Sequence, residues 1–347
     1  MRTLDFHRRA FGICVGVAML AGCGGSQSPI GASNASENAI QIRALRRSSL
    51  WAPTLRQQIT GTPGYKASGS LLYVVNTNAP PYDGVTIYDA NANNPNPVAV
   101  ITKDLFTPFG DCIDANGTLY VTNEPGSGPG WVSEYPLGKT IPSTIITKGI
   151  NTPAFCAIDH QGNLWVTNIS VPDVAEYKKG STKPLTTLKT GLTYPDGIAI
   201  DHAGNIYVGN LEPYGTSNVQ VYARGSKAPS RTITDGVTWP IGIAADAKGT
   251  LYVTNDNGAN APCNVEEYRT GQSHPYRGIT DEINGPTAVT FGKKGWLYEV
   301  NEGTQGCSGP WPAILEFPPG SNTPSSRMIS NDLHNPAGVA YYPPLLP

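Results

Sequence analysis

The chain has 347 residues, with 39 glycines, 31 prolines and charged side chains at only 14% of positions. Its formal net charge is −2, which gives no basic footprint for nucleic acid, so we expect no nucleic-acid partner. Within its β-rich segments, apolar and polar residues alternate with a period of two, and glycine and proline separate the segments. This pattern excludes helical repeats.

The N-terminus has the order of regions found in a signal peptide. Three arginines precede an apolar run at 11–20, and this run is too short to span a bilayer. The run ends in Leu20-Ala21-Gly22-Cys23, and this sequence resembles the lipobox of bacterial lipoproteins. The resemblance implies that residues 1–22 are removed and that Cys23 becomes a lipidated N-terminus. Ordinary secretion with cleavage elsewhere is the alternative.

Residues 23–60 lack the repeat described below and are rich in Ser, Asn, Ala and Gln, so we expect a flexible tether. Acyl chains on Cys23 would anchor the protein durably in a membrane. In lipoproteins an Asp after the lipidated cysteine favours the inner membrane, whereas this chain has Gly24. The resemblance therefore implies a bacterial cell-envelope protein, on the outer membrane in preference to the inner one, facing the periplasm or the cell surface.

Residues 61–347 repeat one unit six times. Each unit has a short strand that ends in asparagine, and the six asparagines are Asn76, Asn123, Asn168, Asn210, Asn255 and Asn301. A proline precedes another apolar strand in each unit, at Pro108, Pro153, Pro195, Pro240, Pro286 and Pro336. A unit of roughly 45 residues with four short β-rich segments is typical of a β-propeller blade. The sequence predicts an all-β, six-bladed propeller of four-stranded antiparallel blades.

The ends of the chain predict how this ring closes. The first copy begins at its second strand near Leu71, without a proline-led inner strand before it, while residues 336–342 form an inner strand without a blade. We therefore expect the C-terminal strand to complete the first blade, which leaves no open sheet edge.

Four cysteines remain after the signal region, in a chain expected to reach an oxidising compartment. Cys263 and Cys307 lie in equivalent loops of the fifth and sixth blades, and we expect them to form a disulfide. Cys112 and Cys156 lie on the inner strands of neighbouring blades and are a second candidate pair. Reduced cysteines acting as small core residues are the alternative for both pairs.

The two faces of the predicted ring differ in their loops. On one face the turns repeat an Asp-x-x-Gly pattern, which is typical of structural turns, and His160 and His202 lie exposed within them. On the other face the connections after the asparagines vary in length, and variable loops on a rigid frame often carry binding groups. The six asparagines themselves are expected to cap strand ends or to bond the next inter-blade loop.

The face with variable loops also collects acidic and aromatic side chains, which suggest a cation or a polyhydroxyl ligand. Solvated loops with locally packed aromatics are the alternative. The candidate binding residues are Glu124, Trp131, Asp196, Tyr214, Asp256, Glu302, Trp311 and His334.

The unit is clearest at residues 195–210, which read Pro-Asp-Gly-Ile-Ala-Ile-Asp-His-Ala-Gly-Asn-Ile-Tyr-Val-Gly-Asn, and it resembles the NHL repeat. The wider superfamily includes streptogramin B lyase and gluconolactonase-like enzymes. Its lactonases bind a divalent metal at the channel mouth, partly through the Asp of a Pro-Asp-Gly turn, and Asp196 alone matches that ligand. Its lyases also use a histidine base, for which His334 is the one histidine on the candidate face.

These observations favour a binding or scaffolding module at the cell envelope, anchored in the membrane by its N-terminal lipid. Its ligand would be a small molecule, a glycan or a protein, and no cofactor is predicted apart from a divalent cation at Asp196. The alternative is a metal-dependent lyase or lactone hydrolase that uses Asp196 with Glu124, Asp256, Glu302 or His334. Protein assembly at the envelope is a third class.

Overall fold

The computed structural model describes residues 64–66, 69–77, 84–125, 129–212, 216–256, 263–303, 307 and 309–344. The predicted signal peptide at 1–22, Cys23 and the tether to residue 60 lie outside the described residues. Those three assignments therefore stay predictions.

The described residues form six four-stranded antiparallel sheets, so the predicted propeller is confirmed. Blade 1 comprises β24 (Pro336–Tyr342), β1 (Leu71–Asn76), β2 (Gly84–Asp89) and β3 (Ala99–Ile101). Blades 2 and 3 comprise β4 (Pro108–Ile113), β5 (Leu119–Asn123), β6 (Trp131–Tyr135), β7 (Thr144–Ile146), β8 (Pro153–Ile158), β9 (Leu164–Asn168), β10 (Asp173–Tyr177) and β11 (Pro184–Leu188). Blades 4 to 6 comprise β12 (Pro195–Ile200), β13 (Ile206–Asn210), β14 (Asn218–Tyr222), β15 (Arg231–Ile233), β16 (Pro240–Ala245), β17 (Leu251–Asn255), β18 (Asn264–Tyr268), β19 (Arg277–Ile279), β20 (Pro286–Phe291), β21 (Leu297–Asn301), β22 (Ala313–Phe317) and β23 (Met328–Ile329).

Closure of the ring follows the predicted arrangement. Strand β24 pairs antiparallel with β1, from Leu71 opposite Tyr342 to Asn76 opposite Pro336. The C-terminal strand thereby supplies the inner strand of blade 1. Since β1 has a partner on both sides, the first and last segments of the repeat leave no edge between them.

The six inner strands approach one another closely around the central channel. A Cβ atom at Gly197 would lie 2.2 Å from the carbonyl oxygen of Ile241, and one at Gly242 would lie 2.7 Å from the Cα of Ala288. This third position of the inner strand is a glycine in four blades and Ala288 in blade 6. Blade 3 has Phe155 there instead, and this ring packs edge-on against Phe109 with centroids 5.2 Å apart.

Both predicted disulfides are present. Cys112 and Cys156 join the inner strands of blades 2 and 3, with a Cα–Cα distance of 5.7 Å. Cys263 and Cys307 join the loops of blades 5 and 6, with a Cα–Cα distance of 5.8 Å. Two such bonds are typical of a protein in an oxidising, extracytoplasmic compartment. In the part of the chain that is described, no helix has the length and apolar character needed to cross a bilayer.

The Asp-x-x-Gly turns have the expected structural function. The Oδ1 atom of Asp114 accepts hydrogen bonds from the backbone NH groups of Asn116 and Thr118, at 2.9 and 2.8 Å. His160 and His202 lie exposed in two of these turns, as predicted. The same side-chain bonding recurs in the turns that begin at Asp159, Asp201 and Asp246. We call the end of the channel formed by these turns the turn face, and the opposite end the variable-loop face.

Candidate functional site

The asparagine ring builds the frame of the variable-loop face. The Oδ1 atom of Asn123 accepts a hydrogen bond from the backbone NH of Phe106 at 3.0 Å, and that of Asn301 accepts one from Asn284 at 2.7 Å. The same bond occurs in all six blades. The predicted structural function is confirmed, with one correction: each asparagine bonds the loop that enters its own blade, not the next one.

Three of the predicted acids occupy one equivalent position, directly after a ring asparagine. The backbone NH of Glu124, Asp256 and Glu302 donates to an inter-blade loop carbonyl at 3.1, 3.3 and 3.0 Å respectively. These acids therefore lie on the rim of the variable-loop face, one to a blade. Asp256 and Glu302 lie on the adjacent blades 5 and 6, whereas Glu124 lies on blade 2.

Trp311 is the most exposed of the large hydrophobic side chains in the described residues, at 63%. Its ring lies over Gly303, where a Cβ atom would be 2.6 Å from the Trp311 Cδ2 atom. Two hydrogen bonds fix the loop that carries Trp311. The side-chain amide of Asn301 donates to the Pro310 carbonyl at 3.0 Å, and that of Asn284 donates to the Gly309 carbonyl at 3.1 Å. The structure thus presents an aromatic ring in a defined orientation.

The other predicted residues of this face are less accessible to a ligand than Trp311. The indole NH of Trp131 donates to the Asp104 carbonyl at 3.2 Å, so this ring serves local packing. His334 is 16% exposed at its side chain, and its Nε2 atom lies 3.1 Å from the Asp332 carboxylate. Tyr214 lies outside the described residues.

Asp196 is fully buried at the second position of β12, where its backbone carbonyl accepts a hydrogen bond from the Thr167 hydroxyl at 2.7 Å. Among the described residues, no group of three or more histidine, cysteine, aspartate or glutamate side chains is arranged to hold a metal ion. The metal site at Asp196 stays a prediction, without a ligand set around it in the described structure. Residues at the equivalent position of the other inner strands are Phe109, Ala154, Ile241, Thr287 and Ala337.

The central channel contains a cavity with a water-accessible volume of about 150 Å³. Its lining comes from the third to sixth positions of all six inner strands and from Pro344. The cavity therefore occupies the half of the channel near the turn face, and Asp196 does not line it. Sequence reasoning placed no functional group here.

One ionisable carboxyl lines this cavity. Asp111 is buried, and neither of its carboxylate oxygens has a hydrogen-bond partner among the described residues. Burial raises its pKa well above the usual value for an aspartate. Comparison of the repeats could have identified it, because the equivalent positions hold Cys156, Ile198, Ile243, Val289 and Val339.

The fold defines the protein as a six-bladed β-propeller. No family model and no curated protein matches the chain. A chain from the crystal structure of a nidogen/laminin complex is similar over 79% of this chain and 98% of its own length, with a TM-score of 0.60 and 18% identity. A protein of unknown function from Bacteroides caccae is similar over 79% of this chain and 99% of its own length, with a TM-score of 0.59 and 14% identity. At these identities the similarity shows the propeller fold alone.

Proposed function

We propose that the protein is an exported, lipid-anchored binding module whose ligand docks on the variable-loop face. The observation that carries this proposal is the exposed ring of Trp311, which is held over Gly303 by a tethered loop. A large aromatic surface that is already fixed in place loses little conformational entropy when a ligand covers it. Tryptophan is accordingly enriched among residues that dominate binding energy.

The surroundings of Trp311 favour a polyhydroxyl ligand, and we propose a glycan. Glu302 directly precedes Gly303, and Asp256 occupies the equivalent position on the adjacent blade. Carboxylates accept hydrogen bonds from hydroxyl groups, and an aromatic face covers the apolar side of a sugar ring. The Cys263–Cys307 disulfide joins these two blades at the same rim and restrains it.

A Trp311→Ala variant tests the glycan proposal. We expect its retention on immobilised envelope glycans, such as purified peptidoglycan, to fall by about tenfold or more, since a central tryptophan contributes on the order of 2 kcal/mol. The matched control is Ile141→Ala, which removes a 57% exposed side chain from the turn face and should bind as the wild type does. Equal retention of all three proteins, or of none, would exclude peptidoglycan binding at Trp311.

The membrane anchor rests on the lipobox-like sequence before Cys23 and requires its own test. In bacterial cells fed labelled palmitate, we expect the label on the wild-type chain and none on a Cys23→Ser variant. Fractionation should then find the wild type with membranes and the variant in the soluble fraction. Label that persists on the variant would show that another residue is modified.

A further inference from the structure

Asp111 interrupts an apolar position of the repeat. In blade 1 the same position of the inner strand is Val339, and in blade 6 it is Val289. The carboxyl is directed toward blade 1, because a Cβ atom at Gly338 would lie 2.8 Å from its Oδ1 atom. The absence of a side chain at Gly338 therefore makes room for the carboxyl group.

Among the described residues, the one group that favours the charged form of this carboxyl is the backbone NH of Asp111 itself, and burial outweighs it in raising the pKa. Asp111 is only 6% exposed, and both its oxygens lack a hydrogen-bond partner among the described residues. Its charge adds to the rise in the Tyr73 pKa, so that phenol lies nearby, but the Tyr73 hydroxyl is paired with the Tyr65 hydroxyl at 2.8 Å. None of the described residues that line the cavity carries a positive charge. Burial of an unpartnered carboxyl costs free energy, and a cationic ligand would offset that cost.

The cavity beside Asp111 suits a ligand with an apolar body. Its walls combine polar and apolar surface in nearly equal shares, and residues such as Ile158, Ile200, Ile243 and Phe291 supply the apolar part. A cavity of about 150 Å³ is large enough for a benzene-sized molecule. A bare metal ion fits less well, because hard cations prefer several oxygen ligands and Asp111 is the one carboxylate in the lining.

From this combination we infer that the channel binds a small organic ammonium ion. The bound ammonium group lies against the Asp111 carboxyl and holds it in the ionised form that burial alone disfavours, and the hydrocarbon part occupies the half of the channel near the turn face. This site lies on a different part of the molecule from Trp311 and does not depend on the glycan proposal.

The inference is tested with n-butylamine, which is cationic at about pH 8, and with n-butanol, its neutral counterpart of similar size. Binding to the purified full chain is measured by titration calorimetry or by ligand-observed NMR. We expect the wild type to bind the amine about tenfold or more tightly than the alcohol, as a charge-assisted hydrogen bond would give. An Asp111→Asn variant should bind both probes equally.

A second variant distinguishes the loss of the carboxyl group from misfolding. Asp111→Val introduces the residue that blade 1 already has at this position, so we expect a folded protein that does not prefer the amine. The inference fails if the wild type shows no saturable amine binding, if it binds both probes equally, or if either variant keeps the preference for the amine. Asp111-dependent binding of sodium or calcium without amine binding would also overturn it, in favour of a metal site. A Trp311→Ala variant should behave as the wild type in all of these titrations.

Discussion

At the scale of single residues, the informative positions are those where one blade departs from the other five. Asp111 replaces an apolar inner-strand residue, and Phe155 replaces a glycine or alanine at the channel. Glu299 stands in β21, and both its oxygens are buried without a hydrogen-bond partner among the described residues. The five equivalent positions are all valine, at Val74, Val121, Val166, Val208 and Val253.

Buried carboxyl groups in blade 6 make the folding stability depend on pH. Burial raises the pKa of Glu316 from 4.5 to about 7, although the Arg327 guanidinium 3.4 Å away opposes the shift. Burial also raises the pKa of Glu299 well above its usual value. A carboxyl with a higher pKa in the folded state holds its proton more tightly there. The contribution of Glu316 to the free energy of unfolding should therefore be greatest below about pH 4.5 and be lost as the pH rises through about 7.

A Glu299→Val variant tests this account of the buried carboxyls. We expect the free energy of unfolding, measured with urea, to rise on the order of 2 kcal/mol at about pH 8, because valine removes an unpaired buried carboxyl. The gain should be smaller at about pH 5, where the wild-type carboxyl is already neutral in the folded protein. Glu299→Gln is the control, since it should weaken the pH dependence while keeping a buried polar group. A valine variant less stable than the wild type at both values would contradict the account.

At the scale of strands and loops, the repeat allowed the second strand of each blade to be located from the sequence. The strand predicted to end at Asn123, for example, ends there in the structure as β5. Proline, asparagine and the turn glycines mark the ends of strands chemically, so their spacing locates each element. The Asn bonds could be anticipated only as structural, because their partners are backbone groups distant in the chain, seventeen positions earlier in five blades and at His334 for Asn76.

Tyrosines at the ends of the third strands also bond the loops that enter the blades, in addition to the asparagine ring. The hydroxyl of Tyr222 donates to the Thr190 carbonyl at 2.6 Å, and that of Tyr177 donates to the Lys148 carbonyl at 2.7 Å. Each bond reaches the loop that enters the same blade. Blade 6 has Phe317 and lacks this hydroxyl. The entering loops are therefore held from two directions in the blades that have both residues.

At the scale of the whole molecule, stability depends on closing the ring. Strand β24 shares blade 1 with β1, although the two lie at opposite ends of the repeat region. Removal of β24 would leave one backbone edge of β1 unpaired. It would also remove the inner strand of blade 1 from the wall of the channel. An unpaired strand edge is also a template for pairing with another chain.

Deletion of residues 336–347 tests this closure. We expect the shortened chain to lose cooperative thermal unfolding, or to form dimers and larger species through the exposed edge of β1. Circular dichroism and light scattering would detect these two results. Deletion of residues 345–347, which leaves β24 intact, is the control and should keep the wild-type melting temperature. A monomer with an unchanged melting temperature after the longer deletion would show that closure by β24 is dispensable.

The sequence alone determined the six-bladed architecture, because its unit is repeated six times in one chain. The register of that repeat also predicted the closure and suggested the two disulfide pairs, which the structure confirms. The sequence also predicted that the two faces of the ring differ in their loops and that acidic residues lie on the variable-loop face. Only the tertiary structure decided that Trp311 is exposed over Gly303 and that Asp111 lines a cavity. It also showed that Glu124, Asp256 and Glu302 occupy equivalent positions on one rim, with Asp256 and Glu302 on adjacent blades and Glu124 on blade 2. Exposure and cavities arise from packing between blades, and such contacts join residues far apart in the chain that no local pattern relates.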